Sequence, residues 1–511
     1  MFHLANKKMK MKNRSSNNIF LIIASLAVVL ACSSCDEIFD VKAGPRITPD
    51  VHYKDSIGLD LSLFGAITPL TVAMPNLVLM DGLFTDMMDV TENSDPFMHE
   101  LNNHVVSPSN PYIDPSTFYQ TIINVNEILA NIDRVQKTDP SIDDFDLNVF
   151  KGALMGLRSW VYFTISKIYG EAAWIEDNLT ELPTSNPAFI AKDALIDTLI
   201  NQLKPFLHTN ADIEDVRLSI YPNNKALIGE LYLEKNQYDS AAYYLKAAVE
   251  NYDIEKGLYM VSNSYEKESW GSIFRASGSL YDPEVISMVP FQVTEGQINP
   301  VYDWSFLQYA IKPSQPIINL FKAQVPLKGT DDFRGMGVSI DTLTDGTPII
   351  RKYALGDEEK NYSIIIISRA GDIHLLLAEA LNRLGDSDLA LKLMNLGISS
   401  MSAAPRDYRD WTENIGIRGR AYVKERFVPS KIAADPNQKM LYVEDLIIEE
   451  RALELAFEGR RWFDLVRIAN RRGDDNYIAS KVAPKFTDSS KAESVSNILK
   501  NRNNWYLTHP R

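Results

Sequence analysis

The sequence predicts an all-α fold in which helix pairs pack against a largely irregular, loop-rich face carrying a minor β-hairpin. Three observations point there. Two segments repeat one pattern of small and aromatic residues at helical spacing, strand-like runs are few, and long stretches rich in Pro, Gly and Asn separate the helices. The composition of the 511 residues is ordinary for a globular chain, 45% hydrophobic and 23% charged, which argues against wholesale disorder or a disulfide scaffold. A formal charge of −15 argues against nucleic-acid binding, because phosphate recognition needs a basic surface. The same charge would repel anionic lipid, so any membrane attachment should not rest on a basic patch.

The chain opens with a leader. Lys7, Lys8, Lys10, Lys12 and Arg14 form a basic stretch with no acidic residue, and an apolar run follows from Ile19 to Cys32. As a helix that run spans about 21 Å, short of the roughly 30 Å hydrocarbon core, so it reads as a secretory signal and not a membrane span. No later stretch approaches 18 uninterrupted apolar residues. Both cysteines sit at its end, in Cys32-Ser33-Ser34-Cys35. A Cys-x-x-Cys can be a redox motif or half a zinc site, but the following thioredoxin-like helix and the further ligands are missing from the sequence. The alternative is a lipoprotein signal, in which a small residue precedes the cysteine that becomes the acylated N-terminus. Cys35 fits best, since Asp36 and Glu37 turn the chain acidic at once, and Cys32 after Ala31 is the alternative. Two or more acyl tails, at about 0.8 kcal/mol per buried CH₂, would anchor the protein durably.

The body then divides into residues 35–215 with helical pairs, 216–260 with a first repeat unit, and 261–511 with a loop-rich face and a second unit. Helices are expected over Ser116–Val135, Phe145–Gly170, Ala191–His208 and about Val443–Arg471, with Gly459 reading as the turn between two helices in the last stretch. In Ala226–Glu250, Gly229, Tyr232, Tyr238, Ala241 and Ala248 occupy the small and aromatic packing positions of a tetratricopeptide repeat. In Asp372–Ile398, Ala378, Gly385, Ala390 and Gly397 fit the same frame, and Ile373, Leu377, Ala380, Leu381 and Leu384 give one apolar face. Two isolated units cannot bury their open faces without stacked neighbours. Strands are expected only at Ile364–Ile367 and Val285–Val293.

Motifs for chemistry are mostly missing. No phosphate loop, dinucleotide fingerprint or Gly-x-Ser-x-Gly occurs. His99 and His104 are five apart where zinc wants four, on a segment after Asn93-Ser94-Asp95-Pro96 that reads as loop. Asp341, Asp345 and Gly346 resemble a calcium loop but fail its ligand count at Leu343 and Lys352. The densest constellation runs from Glu450 to Arg467. Its glutamates Glu450, Glu454 and Glu458 share a helical face and invite a catalytic reading, but interleaved arginines favour an ion-pair network that fixes helix packing.

That block, Arg451, Glu454, Leu455, Phe457, Glu458, Gly459, Arg461, Trp462, Phe463, Asp464, Leu465 and Arg467, resembles the C-terminal signature of the SusD/RagB family of outer-membrane lipoproteins from Bacteroidetes. Cys35 to Lys42, Ile47-Thr48-Pro49 and the stretch Arg158 to Gly170 are similar to further family segments, and the two repeat units sit where the family keeps them. The loosely matching end, Asn504-Trp505-Tyr506-Leu507, departs from the tyrosine-rich close of many members. The resemblance implies four tetratricopeptide-like pairs, no enzymatic activity and no cofactor or metal. It also implies capture of glycan at the cell surface, with delivery to a SusC-like TonB-dependent transporter. Alternatives are a peptide-uptake lipoprotein, a periplasmic repeat scaffold and a surface hydrolase.

Sugars show apolar C–H faces ringed by hydroxyls, so a capture site wants exposed aromatic platforms flanked by amides and carboxylates. Tyr302, Trp304 and Tyr309 form the best such cluster; Tyr281, Tyr112 with Asn110, and Trp270 are weaker candidates, and Trp160, Trp174 and Trp462 read as core.

Overall fold

The protein was analysed as a computed structural model that describes residues 52–175, 187–207, 220–249, 267–275, 284–291, 296–327, 331–354, 363–397 and 416–509. The leader with Cys32 and Cys35, and Tyr281, lie outside the described residues. Asp55 starts the first described helix, α1 (Ser56–Ile67), by accepting the Gly58 amide at 3.1 Å. Helix α2 (Leu70–Phe84) follows and is buried almost throughout. Ser56–Phe84 corrects the expectation that no later stretch is apolar enough to span a bilayer: its mean hydropathy reaches 1.7, but 61% of that window is buried inside the fold. Its second half, α2, is a core element packed on nearly every side, while Ile57, Leu61, Phe64 and Val72 stay exposed.

The strand β1 (Met88–Val90) and short helix α3 (Pro96–Asn102) lead to the long pair α4 (Ser116–Thr138) and α5 (Asp144–Tyr169). Gly170 ends α5 in the left-handed conformation at φ +77°, a position open to glycine at no steric cost. The strands β2 (Glu171–Ala173) and β3 (Phe189–Ala191) pair with each other, and α6 (Lys192–Leu203) packs against α5.

The repeat units form as the pattern predicts. The first is α7 (Asn224–Glu234) and α8 (Tyr238–Val249), which approach closely at Gly229: a Cβ there would lie 2.6 Å from Leu245 Cγ. Among the elements between the units are β4 (Val285–Val289), β5 (Ile311–Pro313), α9 (Gln315–Lys322) and a hairpin of β6 (Ile340–Thr342) with β7 (Pro348–Ile350). After β8 (Ile365–Arg369) comes the second unit, α10 (Ala370–Arg383) and α11 (Ser387–Leu396), turning at Gly385 with φ +94°. Although far apart in sequence, the units stack directly, α8 on α10. One core joins Ala241, Leu245 and Ala248 to Ile373, Leu377 and Ala380, and α12 (Pro436–Glu454) covers it with Val443 and Ile447. Each unit is therefore the neighbour the other needs. Leu384, read as part of the apolar face, caps α10 and is 42% exposed.

As expected, Gly459, at φ +73°, turns the chain between α12 and α13 (Arg461–Arg472), and α14 (Tyr477–Val482) and α15 (Ser489–Leu499) follow. The two strand-like runs pair antiparallel as β4 and β8, but across a long connection and so not as a hairpin. Antiparallel pairs β1–β5 and β6–β7 were not expected from the sequence, since three-residue strands leave no periodicity to read.

Candidate functional site

The C-terminal signature is a buried lattice of charges that fixes several elements at once. Arg451 donates to Asp464 and Asp372, each at 2.7 Å, and Arg467 holds Glu379 with both nitrogens at 2.8 and 2.9 Å. Glu454 accepts from Arg369 at 2.6 Å, from Arg334 at 3.0 Å and from Arg420; Glu458 takes Lys352 at 2.7 Å and Arg369 at 2.9 Å; Glu450 takes Arg334 at 2.7 Å and Arg418. Burial alone would raise the Glu454 carboxyl, yet Arg420, Arg369 and Arg334 outweigh it and hold the group well below the usual carboxylate range. The three glutamates are thus ionised, saturated with partners and closed to solvent.

The lattice reaches the loop-rich face. Arg461 grips Asp86 in two parallel bonds at 2.8 and 2.7 Å, and the Trp462 amide donates to Asp81 at 2.7 Å. Asp86 lies just ahead of β1, which pairs with β5 in the register Met88 to Pro313. Everything that hangs from β1 and β5 inherits that rigid support.

Two loops hang there. On the first, Asp95 caps α3 by accepting the Met98 amide at 2.9 Å, with Pro96 in the first turn. This corrects the reading of the segment as loop: Asp-Pro is a helix start, and His99 is helical. His104 follows at φ +57°, and its ring packs against Phe84 and Trp462, where burial keeps it neutral with its pKa lowered to about 3. On the second, residues 303–307 make a π-helical turn, a form enriched at functional sites. The loops are stitched together. Asn93 donates to the Gln308 carbonyl at 3.0 Å, Ser94 to that of Ala310 at 2.5 Å, and Thr91 to that of Tyr309.

This stitching brings Tyr112 to Trp304, two residues from distant parts of the chain. Their rings meet edge to face, centroids 5.6 Å apart and planes at 85°. Both are half-buried. Tyr112 is locked by its hydroxyl, which donates to Asp95 at 2.5 Å; burial and that acceptor together push its pKa up. Tyr309, half-buried at φ +49°, donates to the Pro348 carbonyl at 3.2 Å. Leu307, 63% exposed, and the exposed Gln308 complete the turn, and burial raises the carboxyl of Asp303.

Other candidates sit elsewhere. Tyr302 is a correction: it is only 4% exposed and stacks on Phe306 with centroids 5.5 Å apart, inside the turn that presents Trp304. Asn110 is likewise buried, its amide donating to Phe97 O and Glu100 and its oxygen accepting the Tyr112 amide at 3.0 Å, so it positions the platform without facing a ligand. Trp270 is buried near Lys352 and Arg369. Trp160 and Trp462 lie in the core, and Trp174 stacks half-buried on Tyr162. Asp95, Asn93 and Gln308 were not singled out from the sequence; only the Asp-Pro helix start offered a signal. Asp341 and Asp345 flank the β6–β7 turn, where Gly346 has φ +90°. Among the described residues no group of His, Cys, Asp and Glu could hold a metal ion.

Comparison with known proteins agrees with this architecture. The SusD family matches residues 339–507. SusD-like protein P38 of Formosa agariphila is 23% identical over 509 residues, covering 90% of this chain and 92% of its own. The fold is similar to that of a SusD superfamily protein from Bacteroides vulgatus, with TM-score 0.66 and 17% identity over 86% of this chain and 92% of that one. It is also similar to a laminarin-binding SusD-like protein, with TM-score 0.57 and 17% identity over 84% and 95% of the two chains.

Proposed function

We propose that the chain, whose residues 339–507 match the SusD family, acts as a member of that family, capturing glycan at the cell surface and passing it to a SusC-like TonB-dependent transporter. A laminarin-binding SusD-like protein and a SusD-like carbohydrate-binding protein from Bacteroides vulgatus share the fold, which supports a binding role without catalysis. The observation that carries the site is the Tyr112–Trp304 pair: two half-buried aromatic rings at right angles, held on a stiff support. A pyranose lays its C–H face on one ring while its edge meets the other, and Asp95, Asn93 and Gln308 line the turn that receives its hydroxyls. Because the rings are preordered, little conformational freedom is lost on binding. Tyr309 extends the platform toward the β6–β7 hairpin.

The family is associated with the outer membrane. Acylation at Cys35 would hold the body there facing outward, and the acidic mature chain keeps it off the anionic lipid surface. Affinity gel electrophoresis against polysaccharides tests capture: the wild type is retarded, while Trp304→Ala and Tyr112→Ala migrate freely with unchanged unfolding. Retardation of both variants equal to wild type removes the site. Cys35→Ala should move the protein out of the membrane fraction, and the transporter should co-purify with the wild type only after detergent extraction. A wild type that binds peptides and no polysaccharide would establish the peptide-uptake alternative.

A further inference from the structure

On the far side of Tyr309, past Pro348, lies a cavity of about 290 Å³, close to the lower bound of roughly 300–1,000 Å³ for small-molecule sites. It shares a wall with the platform. Pro348, whose carbonyl accepts the Tyr309 hydroxyl, lines it, and so does Pro313, the last residue of β5. Its floor is held from beneath. Asp332 faces the cavity with both carboxylate oxygens bound to Arg334 at 2.7 and 2.9 Å, and Arg334 continues to Glu450 and Glu454. Phe321 seals the base under Gly335, where a Cβ would lie 3.0 Å from the ring. The buried charge lattice thus keeps the cavity open and shaped before any ligand arrives.

The lining suits a sugar ring. Pro313, Phe321 and Pro348 give apolar surface, and Thr342, Lys322 and Asp341 give hydrogen-bonding groups. The charge around the platform has one dominant sign. At the cavity Asp331 and Asp341 are matched by Lys322 and by Arg351, whose Nε lies 3.7 Å from Asp341, whereas Glu92, Asp95, Asp303 and Asp345 around the platform oppose Lys312. Fields of that sign lower the local concentration of polyanions.

Resting on the glycan-capture reading, we infer that this cavity is a second saccharide subsite continuous with the Tyr112–Trp304 platform. Together the two select extended, uncharged glycan chains over sulfated or uronic-acid chains. The platform stacks one ring, the chain passes Tyr309 and Pro348, and a further ring drops into the cavity.

The test uses the full chain with its platform intact. A glycan array presenting neutral glucans, mannans, xylans and galactans beside heparin, polygalacturonate and sulfated galactans identifies the preferred polymer. Titration calorimetry then compares the disaccharide and hexasaccharide of that polymer with wild type, Thr342→Trp and Lys322→Trp, both at exposed positions of the cavity rim. The expected result is neutral glycans alone on the array. The hexasaccharide should be weakened roughly tenfold by either variant, the worth of one or two hydrogen bonds, with the disaccharide unchanged. Unchanged hexasaccharide affinity in both variants overturns the cavity as a subsite while leaving capture intact. Anionic glycans alone on the array overturn the selectivity, and no glycan at all overturns the capture reading itself.

Discussion

Glu454→Gln removes one charge from a buried set in which Arg334, Arg369, Arg418, Arg420 and Lys352 face Glu284, Asp332, Glu450, Glu454 and Glu458, all less than a tenth exposed. The set is balanced, and Glu454 alone touches three of its arginines. The amide keeps the shape, but leaves the lattice one positive charge in excess and turns an NH₂ toward guanidinium donors. Breaking one side of a buried ion pair costs about 3–5 kcal/mol, and this group has three partners, so the loss should fall at the upper end of that range. Equilibrium urea unfolding measures it. The double variant Glu454→Gln/Arg420→Met restores neutrality and should lose less than the sum of its single variants. A Glu454→Gln loss under about 1 kcal/mol, or strict additivity in the cycle, would refute the claim that these glutamates exist to neutralise the lattice. The pH dependence follows the same logic: a carboxyl held below its unfolded value stabilises above that value and is lost as pH falls. Asp372, lowered to about 2 by its arginines against burial, and Glu454 should therefore make the protein lose stability below roughly pH 4.

Asp81 gives the opposite slope. Burial raises it to about 7, so the folded protein holds the proton more tightly than the unfolded chain and stability declines as pH climbs from about 4 to about 7. Asp81→Asn keeps the acceptor for the Trp462 amide and should flatten that slope, adding a few kcal/mol above neutrality at about 1.4 kcal/mol per pKa unit; urea midpoints across pH would show it. Gly229→Ala should cost about 1–3 kcal/mol, because its Cβ meets the Leu245 side chain at 2.6 Å and backbone nitrogen at 3.0 Å, and the same unfolding assay reads the loss. Asp95→Asn should loosen Tyr112 and weaken glycan binding less than Tyr112→Ala does, while leaving the α3 cap in place.

How far the sequence could be read depends on what each feature requires. The repeat units were legible because Gly229 serves a close approach between helices and Gly385 a left-handed turn, both local requirements that spacing records. The charge lattice was legible as a network from Glu450, Glu454 and Glu458, but its partners Arg334, Arg369 and Arg420 come from loops and strands with no periodicity to announce them. Helix α2 went unread since near-uniform burial erases the amphipathic signal, and α1 because its exposed face carries Ile57, Leu61 and Phe64 in place of polar residues. At the site, Tyr302 and Trp304 are two residues apart, and only the pitch of a π-helical turn decides that the first is buried and the second presented. Tyr112 was a weaker candidate because its value lies in a partner far along the chain, set by the β1–β5 pairing.

The account stands most directly on the affinity of Trp304→Ala and Tyr112→Ala for the glycan that the wild type prefers, measured by calorimetry beside an unfolding curve for each. Both should lose about 2 kcal/mol or more, roughly thirtyfold, while their urea midpoints stay within the range of ordinary surface substitutions. Wild-type affinity in both variants, with folding intact, would contradict it.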